Sequence, residues 1–266
     1  MPEGDTVHRA ARRLHDALAG EVVVRSDLRV PSLATADLSG RRVLEAVARG
    51  KHILVRFEGG LTLHSHFMMD GEWLIRRPGG RLPPPAHHIR AVISTGRITA
   101  VGMRLAQLKL LRTEREVEVV GHLGPDLLGD DWDAGRVLAA LRARPETPIG
   151  AALLDQRVLA GVGNVYKTEI CFLRGIDPRT PVGRVTGLEE LVDLTKRLME
   201  ANRATGRQIT TGDTRKGRER WVYGKAGMPC PRCRAPIVRF HQPGPKWLTA
   251  AERVSYICPS CQPPLV

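Results

Sequence analysis

The sequence predicts an α+β protein whose first half is a two-sheet antiparallel β-sandwich and whose second half is helical. Between Val22 and about Val119, short runs of alternating apolar residues are separated by glycine-containing turns. Beyond Gly121-His122-Leu123-Gly124-Pro125 the apolar residues recur at helical spacing instead. Near the C-terminus, four of the five cysteines fall in two C-x2-C pairs, which predicts a small appended module. The expected boundaries are 1–119 for the sandwich, 120–217 for the helical part and 218–266 for the cysteine module.

Each element has its local reason. Asp5 or Thr6 is expected to cap a first helix, with Val7, Ala10, Ala11, Leu14, Ala17 and Leu18 on its apolar face and Gly20 ending it. Ile53, Val55 and Phe57 alternate, Glu58-Gly59-Gly60 turns, and Leu61, Leu63 and Ser65 return as a hairpin. A second hairpin folds at Thr95-Gly96, between Ile89–Ile93 and Ile98–Val101, and Leu82-Pro83-Pro84-Pro85 reads as a loop. Helices are expected at Asp133–Arg144 before Pro145, at Pro148–Leu159 capped by Thr147, at Val165–Arg174 before Gly175, and at Leu188–Asn202 ending near Gly206.

Charge narrows the class of partner. Lys plus Arg number 41 against 28 Asp plus Glu, a net +13, which favours a polyanion. The excess is uneven: residues 203–253 hold 12 Lys or Arg and three acids, too lopsided for an ordinary solvated face. No run of about 18 apolar residues suggests a membrane span, and the start of the chain lacks a secretory pattern. A cytoplasmic protein acting on nucleic acid is therefore expected, with no membrane partner. Aromatic residues are only 4%, too few for a general single-strand binder built on stacking.

The cysteine spacing carries its own chemistry. Cys230-Pro-Arg-Cys233 and Cys258-Pro-Ser-Cys261, 24 residues apart, offer two thiolates from each of two tight turns. That arrangement suits one tetrahedral Zn2+ with every position filled by protein, hence structural. The separation is longer than usual, and Gln242-Pro243-Gly244-Pro245 would supply an extended hairpin tip. A redox C-x2-C is the rival, but no βαβ pattern surrounds it. Arg232, Arg234, Arg239, Lys246 and Arg253 on this module suit phosphate contact. Cys171, among helical apolar residues, reads as core.

The opening residues Met1-Pro2-Glu3-Gly4-Asp5 carry the most specific signal. Once Met1 is removed, Pro2 presents a free secondary amine that can attack an aldehyde-like sugar carbon and form an iminium without losing a second proton. Such an amine titrates near pH ~7.7–8.0, and Glu3 beside it can move protons. Proline after the start codon is also common without any such chemistry, so these residues alone leave both readings open.

Pro2-Glu3-Gly4, Arg49-Gly50-Lys51, Gly161-Val162-Gly163-Asn164 and the terminal cysteine pairs occur in an order that resembles the formamidopyrimidine-DNA glycosylase/endonuclease VIII family nearly end to end. The resemblance implies a β-sandwich, a helix-two-turn-helix domain and a zinc-ribbon β-hairpin. It implies excision of oxidised bases followed by cleavage of damaged double-stranded DNA, with single-stranded or bubble DNA open, by a monomer. By the same resemblance Pro2 is the Schiff-base nucleophile, Glu3 the acid/base, Lys51 a proton donor in β-elimination, and Arg253 a phosphate contact tied to δ-elimination. Asn164 matches a phosphate-holding turn residue and His122 a DNA contact. Met68, Met69 and Asp70 match the loop inserted where a flipped base has left the stack.

Other readings of these residues stay open at this point. Lys51 and His122 would also serve as plain surface residues, Asn164 as a helix C-cap, and Met68 and Met69 as filler between strands. The sequence departs from the family where Thr6 replaces a second acid, and the Met-Met-Asp loop leaves opposite-base preference open. Gly4 and the short Thr210–Trp221 segment resemble the endonuclease VIII branch, which favours oxidised pyrimidines. An oxidised-purine glycosylase, a lyase confined to abasic sites and a non-catalytic lesion-binding zinc protein are the alternatives.

Overall fold

The computed structural model describes residues 2–205, 207–242 and 253–264. They form two compact units, 1–122 and 123–266.

The first unit begins with α1 (Gly4–Leu18), which buries Val7, Ala11, Leu14 and Leu18 along one face. Each large apolar side chain on that stripe contributes about 1.5–3 kcal/mol on burial. The helix starts earlier than the expected Asp5 or Thr6 cap. Glu3 occupies the N-cap, and Asp5 sits in the first turn, where its carboxylate meets the positive end of the helix. Thr6 donates its hydroxyl to Asp5 Oδ1 at 3.3 Å rather than capping the backbone.

Eight strands follow: β1 (Val23–Leu28), β2 (Val43–Arg49), β3 (His52–Phe57), β4 (Leu61–His66), β5 (Glu72–Arg76), β6 (Ile89–Thr95), β7 (Thr99–Met103) and β8 (Gln107–Arg112). They make two four-stranded antiparallel sheets, ordered β1-β6-β7-β5 and β2-β3-β4-β8. Ile53, Val55, Phe57 and Leu63 from one sheet and Ala91, Ile93 and Ala100 from the other share a core with α1. Both expected hairpins are present, the first with Phe57 opposite Leu61. A single turn, α2 (Val117–Val120), follows the last strand. It is tethered to the outer face of the second sheet by Arg56, whose Nε and Nη2 donate to the Glu116 carboxylate at 2.8 and 2.7 Å.

The second unit contains α3 (Ala134–Arg142), α4 (Ile149–Leu154), α5 (Asn164–Leu173) and α6 (Leu188–Asn202), then β9 (Val238–Gln242) and β10 (Arg253–Ile257), which pair antiparallel. Asp133 caps α3 by accepting from Arg136 N. The fourth helix differs most from expectation. Pro148, not Thr147, is at its N-cap, and it stops at Leu154 rather than Leu159. Asp155 is the reason, because its buried carboxylate accepts from Arg157 N and Nε at 3.0 Å and from Arg144 Nη1 at 2.6 Å. A side chain that bonds forward to the backbone two residues on competes with the next helical turn. Gly206, Lys246 and the hairpin tip at Pro243-Gly244-Pro245 lie outside the described residues.

Candidate functional site

Within the first unit, the start of the chain is fixed by α1. Glu3 is 0% exposed with extended backbone, and its carbonyl accepts from Val7 N at 3.0 Å. Pro2 lies half-buried just before it. Pro2 is thus placed directly ahead of a helix whose apolar face is locked in the core.

Lys51 sits in the tight turn joining β2 to β3, where Arg49 and His52 are paired and Gly50 adopts φ 56°. A left-handed φ is strained for any residue with a Cβ, so glycine suits this turn. Hairpin geometry therefore sets where the Lys51 backbone lies.

The connection from β4 to β5 carries Met68, Met69 and Asp70. Met68 and Met69 are 49% and 59% exposed, so they are not filler between strands. Met68 has φ 53°, and its N–H donates to His66 Nδ1 at 3.0 Å. Asp70 is held by Arg104, whose Nε lies 3.1 Å from its carboxylate while Nη2 reaches Glu72 at 3.2 Å. Beneath the tip, Gly71 packs so tightly that an added Cβ would lie 2.7 Å from Phe67 Cα. Two apolar side chains thus project from a braced base.

The sequence reading missed His52, His64 and His66, which converge with the expected DNA contact His122 on the outer face of the second sheet. His52 Nδ1 lies 2.8 Å from His64 Nε2, and the His66 and His122 rings lie 4.8 and 6.1 Å from that of His52. Burial pushes the His52 imidazole down to about 2, helped by the charges of His66, His64, His122 and Lys51. Burial also pushes His64 and His66 to about 4, with Lys109 and Lys51 respectively adding to it. The period-2 alternation His64-x-His66, opposite His52 across a hairpin, was the available signal.

In the second unit, Asn164 is the first residue of α5, at the opposite end of a helix from a C-cap. Its Nδ2 donates to Val254 O at 2.7 Å. That bond brings Asn164 beside Arg253, which opens β10 opposite Gln242. Two further residues on α5 escaped the sequence reading. Lys167 is fully buried and donates to Ser255 Oγ at 2.5 Å, and Ser255 passes a hydrogen bond to Gln242. Glu169 accepts from the N–H groups of Trp221, Val222 and Tyr223 at 2.6, 2.9 and 2.8 Å and from the Thr210 hydroxyl. It fastens both ends of the short 210–221 segment. Polar residues inside a helix look solvent-facing in sequence, and only the packed partners reveal otherwise.

Cys230, Cys233, Cys258 and Cys261 converge, with all four Sγ atoms within 4.8 Å of one another. Cys233 and Cys258 lie 3.3 Å apart and Cys230 and Cys261 3.9 Å apart, and none of the four is in a disulfide. A tetrahedron of sulfurs ~2.3 Å from a central ion has edges of about 3.8 Å, so the donor set fits a metal. Desolvation and the neighbouring sulfurs push the Cys261 thiol up to about 12, a shift that a bound cation would reverse. Cys171 is buried, and burial pushes its thiol to about 12, as suits a core residue.

Among the described residues, no helix is long and apolar enough to cross a membrane. Residues 1–124 match the formamidopyrimidine-DNA glycosylase N-terminal domain and residues 123–212 its H2TH domain. The chain is 54% identical to the probable endonuclease 8 2 of Streptomyces coelicolor, covering 98% of this chain and 94% of that one. It is 44% identical to the DNA-(apurinic or apyrimidinic site) lyase Nei2 of Mycolicibacterium smegmatis, covering 98% and 99%. Its fold matches that of the Lactococcus lactis formamidopyrimidine-DNA glycosylase bound non-covalently to DNA containing an abasic site, with TM-score 0.81, 22% identity and coverage of 98% and 100%. Motif order, fold and relatives agree, and the chain belongs to the formamidopyrimidine-DNA glycosylase/endonuclease VIII family, on its endonuclease VIII side.

Proposed function

We propose that this protein is a bifunctional DNA glycosylase and DNA-(apurinic or apyrimidinic site) lyase of base excision repair, working through the amine of Pro2. The observation that carries the reading is the anchored start of the chain, with Glu3 fully buried at the cap of α1 and Pro2 immediately ahead of it. A nucleophile must be held at attack distance, and a helix locked into a core does that.

The chemistry follows from those groups. The Pro2 nitrogen bonds to C1′ of the damaged nucleotide as the glycosidic bond breaks, and Glu3 supplies or relays the proton that the departing base and opening sugar ring need. The resulting iminium withdraws electrons and acidifies the C2′ proton. Loss of that proton expels the 3′ phosphate, and a second elimination expels the 5′ phosphate. Water then cleaves the iminium and returns the amine of Pro2. Lys51 in its turn, and Arg253 on β10, would hold phosphates as negative charge develops on the leaving oxygens. Asn164 would take a phosphate at the first turn of α5, where backbone N–H groups favour anions. Met68 and Met69 would occupy the space of the extruded base, with Asp70 bracing their loop and His122 touching the backbone.

Gly4 and the short segment clipped by Glu169 support oxidised pyrimidines as the preferred lesions. The four cysteines would hold one Zn2+, which when bound cross-links the two turns and leaves no open position for water. A narrower reading, cleavage of abasic sites without base excision, is favoured by the relative named a lyase and by Thr6 in place of a second acid.

Borohydride reduction in the presence of a thymine-glycol duplex and of an abasic duplex tests all of this. A trapped adduct on Pro2 with both substrates supports the bifunctional enzyme, and trapping with the abasic duplex alone supports the lyase. Pro2→Gly, or retention of Met1, should abolish trapping. An adduct on an interior lysine would remove Pro2 from the mechanism.

A further inference from the structure

The four histidines line a concavity of about 330 Å³ on the outer face of the second sheet, together with Lys109 and Glu118. Core sheet faces are apolar, and outer faces are normally solvated and mixed. This one gathers imidazoles instead. His64 is 1% exposed, and its Nδ1 has no hydrogen-bond partner among the described residues. Its Nε2 faces His52 Nδ1 at 2.8 Å, so the neutral pair shares one proton along a single N–H···N bond. A buried polar nitrogen left without a partner costs about 1–3 kcal/mol, a cost that a water, an ion or a ligand group removes.

The surrounding charges say what would bind. Lys51 precedes His52 and its charge acts on His52 and His66, while that of Lys109 acts on His64. The carboxylates near this face are paired with arginines, Glu116 with Arg56 at 2.7 Å and the lining residue Glu118 with Arg115 at 2.5 Å. Arg56 also holds Glu45. His52, His64 and His66, close to two ammonium groups, stay neutral in the free protein, because burial and mutual repulsion both oppose a further positive charge. An anion arriving there reverses that balance.

We propose that this concavity is a proton-linked phosphodiester site: a backbone phosphate of bound DNA docks beside Lys51 and Lys109, and the His52–His64 pair takes up one proton as it does so. The inference rests on the DNA-cleaving reading above. The proton comes from solvent or a buffer acid and forms a new N–H bond on one imidazole. The resulting cation is shared across the 2.8 Å bond and attracts the phosphate. Exposed His122, at 6.1 Å from His52, closes the rim. Binding that takes up one proton weakens by at most about tenfold for each unit rise in pH.

Calorimetric titration with a duplex bearing a tetrahydrofuran abasic analogue, which offers no aldehyde to Pro2, tests this in buffers of different ionisation heat. Wild-type protein is expected to take up protons between about pH 5 and pH 7. His64→Gln keeps a hydrogen-bonding amide but cannot be protonated, so it should lose the uptake and flatten the pH dependence. Should that variant not fold, His52→Gln decides the same question. Equal uptake in wild type and variant, or tight wild-type binding with no uptake, overturns the proposal. Absence of any duplex binding would instead overturn the DNA reading itself.

Discussion

The buried ammonium of Lys167 on α5 donates to the Ser255 hydroxyl on β10 at 2.5 Å, and so ties a helix to the strand that Arg253 opens. Ser255 donates onward to Gln242 Oε1 at 3.2 Å, and Gln242 Nε2 donates to Pro178 O at 2.9 Å. Every member lies at or near zero exposure, so the chain is worth more than a surface ion pair. Lys167→Met should lower stability by about 1–3 kcal/mol by removing the donor to the buried Ser255 hydroxyl. It should also raise the share of β-elimination product ends relative to δ. A shift in melting temperature without a change in product ends would show that the chain is structural alone.

Arg253→Ala should weaken binding to all duplexes and leave products that stop after the first elimination. Gel analysis of the 3′ and 5′ ends checks it, and unchanged ends would remove Arg253 from the second step.

Glu3→Gln keeps the shape of a buried side chain but removes its acid/base function. Excision of a damaged base should slow by about 10²–10⁴-fold, the usual range for a lost general acid, with a smaller loss on a preformed abasic site. Single-turnover rates on the two substrates make the comparison, and equal losses would reassign the residue.

Glu169→Gln replaces an acceptor-only carboxylate with a group carrying two donors, facing three backbone N–H groups and a hydroxyl. Hydrogen bonds to a charged acceptor contribute about 1.5–3 kcal/mol each, so the segment should open locally. Faster hydrogen exchange at Trp221–Tyr223, with the sandwich unchanged, is the expected result.

The buried histidines also set a pH dependence for folding. His64 and His66 stand near 4 in the fold against an ordinary value of 6.5, so the unfolded chain binds more protons below that point. Stability should therefore be complete above about pH 6.5 and fall progressively toward pH 4. Thermal melts across that range check the sign, and His64→Gln should soften the fall.

Much of this was legible in the chain because periodicity and turn chemistry are local. The hairpin of β3 and β4 follows from Ile53, Val55 and Phe57 alternating before Gly59-Gly60. The cysteine cluster follows from spacing alone, since two tight turns need only meet. Asp155 was not legible as a helix terminator, because its effect depends on Arg144 and Arg157 folding back onto it. His52, His64 and His66 looked like the polar half of ordinary strands, and their grouping appears only when register is known. Lys167 and Glu169 looked like the wet side of α5 for the same reason.

One carboxylate collecting both ends of the 210–221 stretch has an evolutionary corollary. That stretch is a loop clipped at its base, so residues added between Thr210 and Trp221 need not displace the cysteine module that follows. Under the lesion preference proposed above, altering it calls for rewriting an insert rather than rebuilding a scaffold.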